Sequence, residues 1–248
     1  DTAPGYGFGR AERIYGEVLG SWRDRIVLAT KVKVHPGTGP DDWTRSVAAS
    51  LERLRTDRVD LLQLHGMSWP DDLEAGVLDW LDKIRARGWT RATGITAEVP
   101  SGGLERLIDT RRLDVLQMAY SIIYQGACDH QRVPFGPIPR ARDRGMGILT
   151  MRGATSGVLQ KLLRAEFPDL DEGRITRLAL RFVLSTPQVD AALIGMRTPD
   201  EVRTNVALAG DPAARIDVAG LHDFFDGRPR EAPPADTLQS QSRQATGR

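Results

Sequence analysis

Asp1, Tyr6, Lys31 and His65 are titratable residues that stand at the ends of short apolar runs or in the turn just beyond one. Asp1 and Tyr6 share "DTAPGYG", whose proline and glycines read as a strand end spilling into a loop. Lys31 follows "LAT" and His65 closes "LLQLH". A tyrosine hydroxyl titrates near pH ~10 in isolation. A neighbouring ammonium favours the phenolate, which makes tyrosine a workable proton donor and acceptor. A carboxylate beside the lysine holds it charged and oriented, and a histidine can hydrogen-bond a carbonyl oxygen or steer its approach. The set suits proton transfer at a carbonyl, provided that the fold gathers these separate segments.

That condition falls on the elements. Short apolar runs alternate with longer segments of helical periodicity along the whole chain. The strand candidates are "RIVLATKV" (25–32), "VDLLQLH" (59–65), "RATGIT" (91–96), "LDVLQMAY" (113–120), "GILTM" (147–151) and "VDAALIG" (189–195). Helices are expected at "DDWTRSVAASLERLR", with Asp41 or Asp42 as N-cap, and at 77–87, closed by Gly88. Others are expected near 103–110, at "PIPRARDRG" and at "ITRLALRFVLS". "TPDEVRTNVALA" adds one with Thr198 as N-cap and Pro199 at its first position.

Strand–helix alternation argues for a parallel α/β sheet covered by helices, either doubly wound or a (β/α)8 TIM barrel. No GxGxxG opens a helix after a strand, so the doubly wound dinucleotide fold lacks its fingerprint. A repeat of about 25–35 residues fits the barrel. The strands would be its third to eighth, with Asp1 the last residue of its second. The sequence is thus expected to begin inside the barrel, without strand one, its helix and most of strand two. Residues 1–225 would form this partial barrel, and 226–248, rich in Pro, Ser and Gln, a disordered tail. The C-terminal strand ends of a barrel face one mouth, which brings Asp1, Tyr6, Lys31 and His65 together.

Composition narrows the function classes. The 248 residues are 40% hydrophobic and 27% charged, with a net charge of +1, which gives no electrostatic case for nucleic acid or an acidic membrane as partner. The lone Cys128 excludes an intramolecular disulfide and reads as a partly buried small residue. No apolar run nears the roughly 18 residues of a membrane span, and no leader pattern opens the sequence. A cytoplasmic protein is expected.

The constellation resembles the aldo-keto reductase superfamily. "DTAPGYG" is similar to its Asp-Thr-Ala…Tyr-Gly segment, "LATKV" to its Thr-Lys strand and "SLERLRTDRVDLLQLH" to its helix three and strand four. The resemblance continues through "TGIT", "LDVLQMAY", "GMGILTM" and "ALIGMRTPDEVRTN", in order, over about residues 1–209. It implies hydride transfer between a nicotinamide cofactor, NADPH favoured and NADH possible, and a small aldehyde or ketone. It makes Tyr6 the proton donor, Lys31 its pKa modifier, Asp1 the lysine's partner and His65 the group that orients substrate. Thr96 and Gln117 would lie near the nicotinamide amide, and Gly195, Arg197, Glu201 and Asn205 would hold the adenosine half.

Several positions depart from the family pattern. Ala97 stands where an asparagine often helps hold the carboxamide. Met151 replaces the aromatic that stacks on the nicotinamide, and Arg152 and Gly153 replace Ser-Pro. Arg197 is a cation suited to a 2′-phosphate, whereas a carboxylate at Glu201 would repel one. Trp22 and Trp43 read as packing residues and Trp69 as a wall of the substrate pocket. His35, His130 and His222 read as core or surface histidines, and the acids near Asp71 and Asp169 as helix starts or solvated groups. The same superfamily contains cofactor-binding regulatory subunits, so a weakly catalytic binding module and an inactive gene fragment are the competing readings.

Overall fold

A computed structural model describes residues 1–65, 76–128 and 135–225. Trp69, Asp71, His130 and the tail 226–248 therefore lie outside the described residues. Six strands form one parallel sheet in sequential order: β1 (Ala29–Val32), β2 (Val59–Leu64), β3 (Thr90–Ala97), β4 (Val115–Ala119), β5 (Gly147–Met151) and β6 (Ala191–Ala192). Among the described residues no ladder joins β6 to β1. Helices alternate with the strands: α1 (Arg10–Val18), α2 (Pro40–Leu54), α3 (Val77–Ala86), α4 (Gly102–Asp109), α5 (Pro137–Asp143), α6 (Val158–Glu166), α7 (Glu172–Leu184), α8 (Pro199–Gly210) and α9 (Val218–Phe225). Six in-order parallel strands with intervening helices are the arrangement expected of a (β/α)8 barrel.

β2 is buried at every position, as a strand covered on both faces must be. Outside the strands the core is built where helices meet them. Trp43 of α2 and Trp80 of α3 pack edge to face, ring centroids 5.5 Å apart, and each indole N–H donates to a threonine Oγ1, of Thr38 and Thr44. Trp43 is a packing residue as expected. Trp22 is not: it is half exposed and carries the Arg25 guanidinium 4.6 Å from its ring centroid.

Among the element boundaries that differ from those read in the sequence, three bear on the sheet and its helices most. Residues 25–28 do not extend β1: Arg25 is the last residue of a 3-10 helix, Gly20–Arg25, and 26–28 lie outside the ladder. The Leu28 N–H is instead taken by the Asp60 carboxylate at 2.9 Å, which the Arg23 guanidinium also binds. α2 is capped at Gly39, not at Asp41 or Asp42, with Pro40 first in the helix and Asp42 Oδ2 accepting the Gly39 N–H. β6 keeps only two of the seven residues of "VDAALIG" in the ladder. The Thr198 cap and Pro199 start of α8 are as expected, and Asp171 caps α7 by accepting the Arg174 N–H at 2.7 Å.

Register decides which residues share the face that matters here. Lys31 pairs with Gln63, Gln63 with Gly94, Thr96 with Gln117, Gln117 with Leu149, and Leu149 with Ala191. Partners in register lie on one face and alternate residues along a strand return to it. Lys31, Gln63, Thr96, Gln117 and Met151 are therefore on one side of the sheet. His65, whose N–H bonds the Val32 carbonyl at 2.8 Å, carries the alternation one residue past β2.

Candidate active site

Asp1 is placed by its neighbour: the Thr2 N–H donates to the Ala29 carbonyl at 2.9 Å, so the first residues run alongside β1. From there the chain turns through Tyr6, whose N–H returns to the Ala3 carbonyl, and enters α1 at Gly9. α1 lies close against α2, where a Cβ on Gly16 would collide with the Arg53 carbonyl. Its fully buried Glu12 ties the loop to the sheet, because Oε1 accepts from Thr30 Oγ1 at 2.6 Å and Oε2 from Arg53 Nε at 2.7 Å. A buried carboxylate without such partners would be strongly unfavourable. Tyr6 thus hangs on a loop fixed at both ends.

The four residues come together. Lys31 Nζ lies 2.7 Å from both Asp1 carboxylate oxygens, 2.9 Å from the Thr2 carbonyl and 3.4 Å from the Tyr6 hydroxyl. The His65 ring meets Tyr6 edge on, 5.8 Å between centroids at 85°. Lys31 is 1% exposed and Tyr6 43%, so the ammonium is shielded while the phenol reaches the surface. Burial pushes the Lys31 ammonium down from its usual pKa, and the Tyr6 hydroxyl and Glu12 carboxylate pull it back. The Asp1 carboxylate at 2.7 Å acts in the same charge-keeping sense. A caged ammonium against an accessible hydroxyl can assist that hydroxyl in giving up a proton.

His65 contributes a neutral ring. Burial, then the Lys31 and Lys33 ammonium groups, lowers its pKa from 6.5 to about 4. The neutral imidazole holds one donor and one acceptor, and its Nδ1 is buried with no partner among the described residues. A depressed pKa means that the unfolded chain takes up this proton first as pH falls. The His65 contribution to stability is therefore complete above pH 6.5 and lost as pH drops toward about 4. His65→Gln should lose less thermal stability across that window than the parent does, as read by melting temperature against pH. Parallel curves would show that His65 does not carry this dependence.

Beyond the strand ends, residues expected near a nicotinamide form a second cluster. Gln117 accepts from Gln63 Nε2 at 2.8 Å, and its own Nε2 donates to Met151 Sδ at 3.5 Å. Thr96 Oγ1 donates to the Leu64 carbonyl at 3.2 Å. The Arg152 guanidinium does not stand free, because it pairs with Glu98 at 2.7 Å. Gln63 and Glu98 carried no role in the sequence reading. Gln63 was visible there as a polar residue two before His65 in an otherwise apolar run, whereas nothing marked Glu98.

From Arg152 a groove of about 870 Å3 runs past Gly153, Gly157 and Gly195 to Arg197, Glu201 and Asn205. Its β5 wall is held in left-handed backbone at three side-chain-bearing residues, Arg152 (φ 60°), Thr155 (φ 59°) and Ser156 (φ 52°). Such conformations persist where surrounding bonds over-determine them. Here Gln160 does so, bonding Thr155 Oγ1, the Ala154 carbonyl and Thr176 Oγ1. At the far end Glu201 Oε2 accepts from the Arg197 N–H at 2.5 Å and the Thr198 N–H at 3.4 Å. Its carboxylate is folded onto the start of α8 rather than projected toward a ligand. Among the described residues the Arg197 side chain has no ion-pair partner. The volume and the glycine-lined walls fit an elongated ligand, and the walls carry the Glu172, Asp200 and Glu201 carboxylates as well as Arg197.

Residues 1–174 match the Aldo/keto reductase family. The chain is 25% identical over 257 residues to the NADH-specific methylglyoxal reductase of Escherichia coli, covering 84% of this chain and 77% of that one. It is 28% identical over 263 residues to D-threo-aldose 1-dehydrogenase of a Pseudomonas species, covering 84% and 78%. An aldo/keto reductase from Klebsiella pneumoniae, solved in complex with NADP and acetate, superposes with a TM-score of 0.67 at 21% identity, covering 94% and 81%.

Proposed function

This chain belongs to the aldo/keto reductase family, and on that premise we propose that it reduces small aldehydes or ketones with NADPH, and with NADH less well. Family membership and the oxidoreductase relatives make it an NAD(P)H-dependent carbonyl oxidoreductase; the substrate, the cofactor preference and the residue roles are our reading. The observation that carries it is Lys31 Nζ held by Asp1 and Thr2 with the Tyr6 hydroxyl 3.4 Å away.

The reduced nicotinamide, when bound, supplies the hydride. This chain's residues do the rest. Tyr6 Oη gives the carbonyl oxygen its proton, and the Lys31 ammonium stabilises the charge left on Tyr6. Asp1 keeps the ammonium charged and aimed. His65, neutral, hydrogen-bonds the same carbonyl oxygen and orients it. Thr96, Gln117 and Met151 flank the nicotinamide end, and Arg152 and Gly195 lie along the groove. Arg197 and Asn205 would hold the adenosine end, and Glu201 would act indirectly, by fixing the start of α8 beside them. NADPH is favoured because the Arg197 cation is available to a 2′-phosphate while Glu201 is engaged by backbone N–H groups at the start of α8. The relative named NADH-specific motivates testing both cofactors.

Oxidation of each cofactor is followed spectrophotometrically with a panel of short aldehydes, ketones and sugars. Turnover with at least one carbonyl, faster with NADPH at equal concentration, is the expected result. No turnover with either cofactor would remove the reading, and faster NADH oxidation would overturn the preference.

A further inference from the structure

Gln63 is fully buried in β2, carries a polar side chain into an apolar core, and takes no part in the proton transfer just described. Its Nε2 crosses β3 to donate to Gln117 Oε1 at 2.8 Å. The crossing needs the gap at Gly94, which pairs in register with Gln63. A Cβ at Gly94 would lie 3.4 Å from Gln63 Cγ and 2.7 Å from the Val115 carbonyl oxygen. A buried amide normally satisfies both its ends, yet Gln63 Oε1 has no partner among the described residues. Of the two ways to orient the pair, the one seen is the better, because it alone gives the second Gln117 group a contact, with Met151 Sδ. Turning both amides round would leave the Gln63 NH2 as the orphan and set the Gln117 oxygen against the Met151 sulfur, where it has no donor.

With its oxygen held by Gln63, Gln117 presents only NH2 toward the end of β5, where Met151 Sδ receives it at 3.5 Å. That contact is weak, so the donor can be given to a better acceptor. We propose that Gln63 is a positioning residue: it locks the Gln117 amide so that a donor, never an acceptor, faces the nicotinamide ring's carbonyl substituent. This rests on the cofactor reading above. It assigns Gln63 a role in cofactor affinity rather than in proton transfer.

A double-mutant cycle tests it. Affinities for NADPH and for 2′-phospho-ADP-ribose, which lacks the nicotinamide ring, are measured by fluorescence titration on the parent, Gln63→Leu, Gln117→Leu and the double variant. Gln63→Leu and Gln117→Leu should each weaken NADPH binding about tenfold, the scale of one lost hydrogen bond. The double variant should bind no more weakly than Gln117→Leu alone, because Gln63 acts only through Gln117. Affinity for 2′-phospho-ADP-ribose should stay unchanged throughout. Losses that multiply, or a folded Gln63→Leu that binds NADPH like the parent, would overturn the proposal. Should Gln63→Leu not fold, Gln63→Met, uncharged and close in length, removes the amide and fills much of its volume, and the same cycle is read with it. If that variant does not fold either, Gln63 is a core residue and the proposal is lost. A parent that binds neither ligand would instead refute the cofactor reading, a result distinct from equal affinities across the cycle.

Discussion

Tyr6→Phe is expected to lower carbonyl turnover about a thousandfold, the middle of the range measured for a positioned general acid, while NADPH affinity stays within a few-fold. The substitution removes one oxygen and leaves the ring that meets His65 at 5.8 Å. It leaves the groove from Arg152 to Asn205 intact, since Tyr6 is not among its walls. An interaction made only as the reaction proceeds should appear in kcat and in kcat/KM to the same extent. About a thousandfold corresponds to roughly 4 kcal/mol of transition-state stabilisation. Tyr6 is partly exposed and among the described residues its hydroxyl bonds only Lys31, so the variant should unfold with the parent's denaturant midpoint. The measurement is steady-state reduction of the best aldehyde from the panel, beside a cofactor titration. Turnover within tenfold of the parent would remove Tyr6 from proton transfer.

The residues of this cluster were legible because each carries its own local signal. Lys31 and His65 are polar residues at the ends of apolar runs, and Tyr6 lies between glycines just past Asp1. Parallel strand ends then put them on one side, which topology alone guarantees. α1 was illegible for a complementary reason. "RAERIYGEV" is mostly polar, starts from Gly9 in left-handed backbone without a side-chain cap, and buries the charged Glu12 rather than an apolar stripe. Its helix is dictated by tertiary bonds to Thr30 and Arg53 that no periodicity encodes. The false start of β1 has a similar origin. "RIVL" has high strand propensity, but Asp60, far along the chain, claims the Leu28 N–H.

Lys31→Met supplies the sharper test of how the site works, because it changes the electrostatics and keeps the phenol. Methionine fills much of the lysine's volume, so the packing around a side chain that is 1% exposed is largely kept. The ammonium it removes sits 3.4 Å from the Tyr6 hydroxyl and away from bulk water, where a charge acts far more strongly than at the surface. Charge developing on Tyr6 would then be stabilised by nothing but solvent at its open side. Turnover should fall about a hundredfold or more. The loss should appear in kcat and in kcat/KM alike, since the ammonium acts on charge that develops only as the proton leaves. Stability has two opposing contributions. The variant strands the Asp1 carboxylate, but that side chain is 17% exposed and can be hydrated, and the burial cost of the ammonium disappears. A modest loss in melting temperature is expected, much smaller than the effect on rate. Lys31→Arg should not restore turnover, because a planar guanidinium cannot satisfy Asp1, Thr2 and Tyr6 from one nitrogen. A Lys31→Met turnover equal to the parent's would mean that the ammonium holds the loop in place and does not assist the hydroxyl.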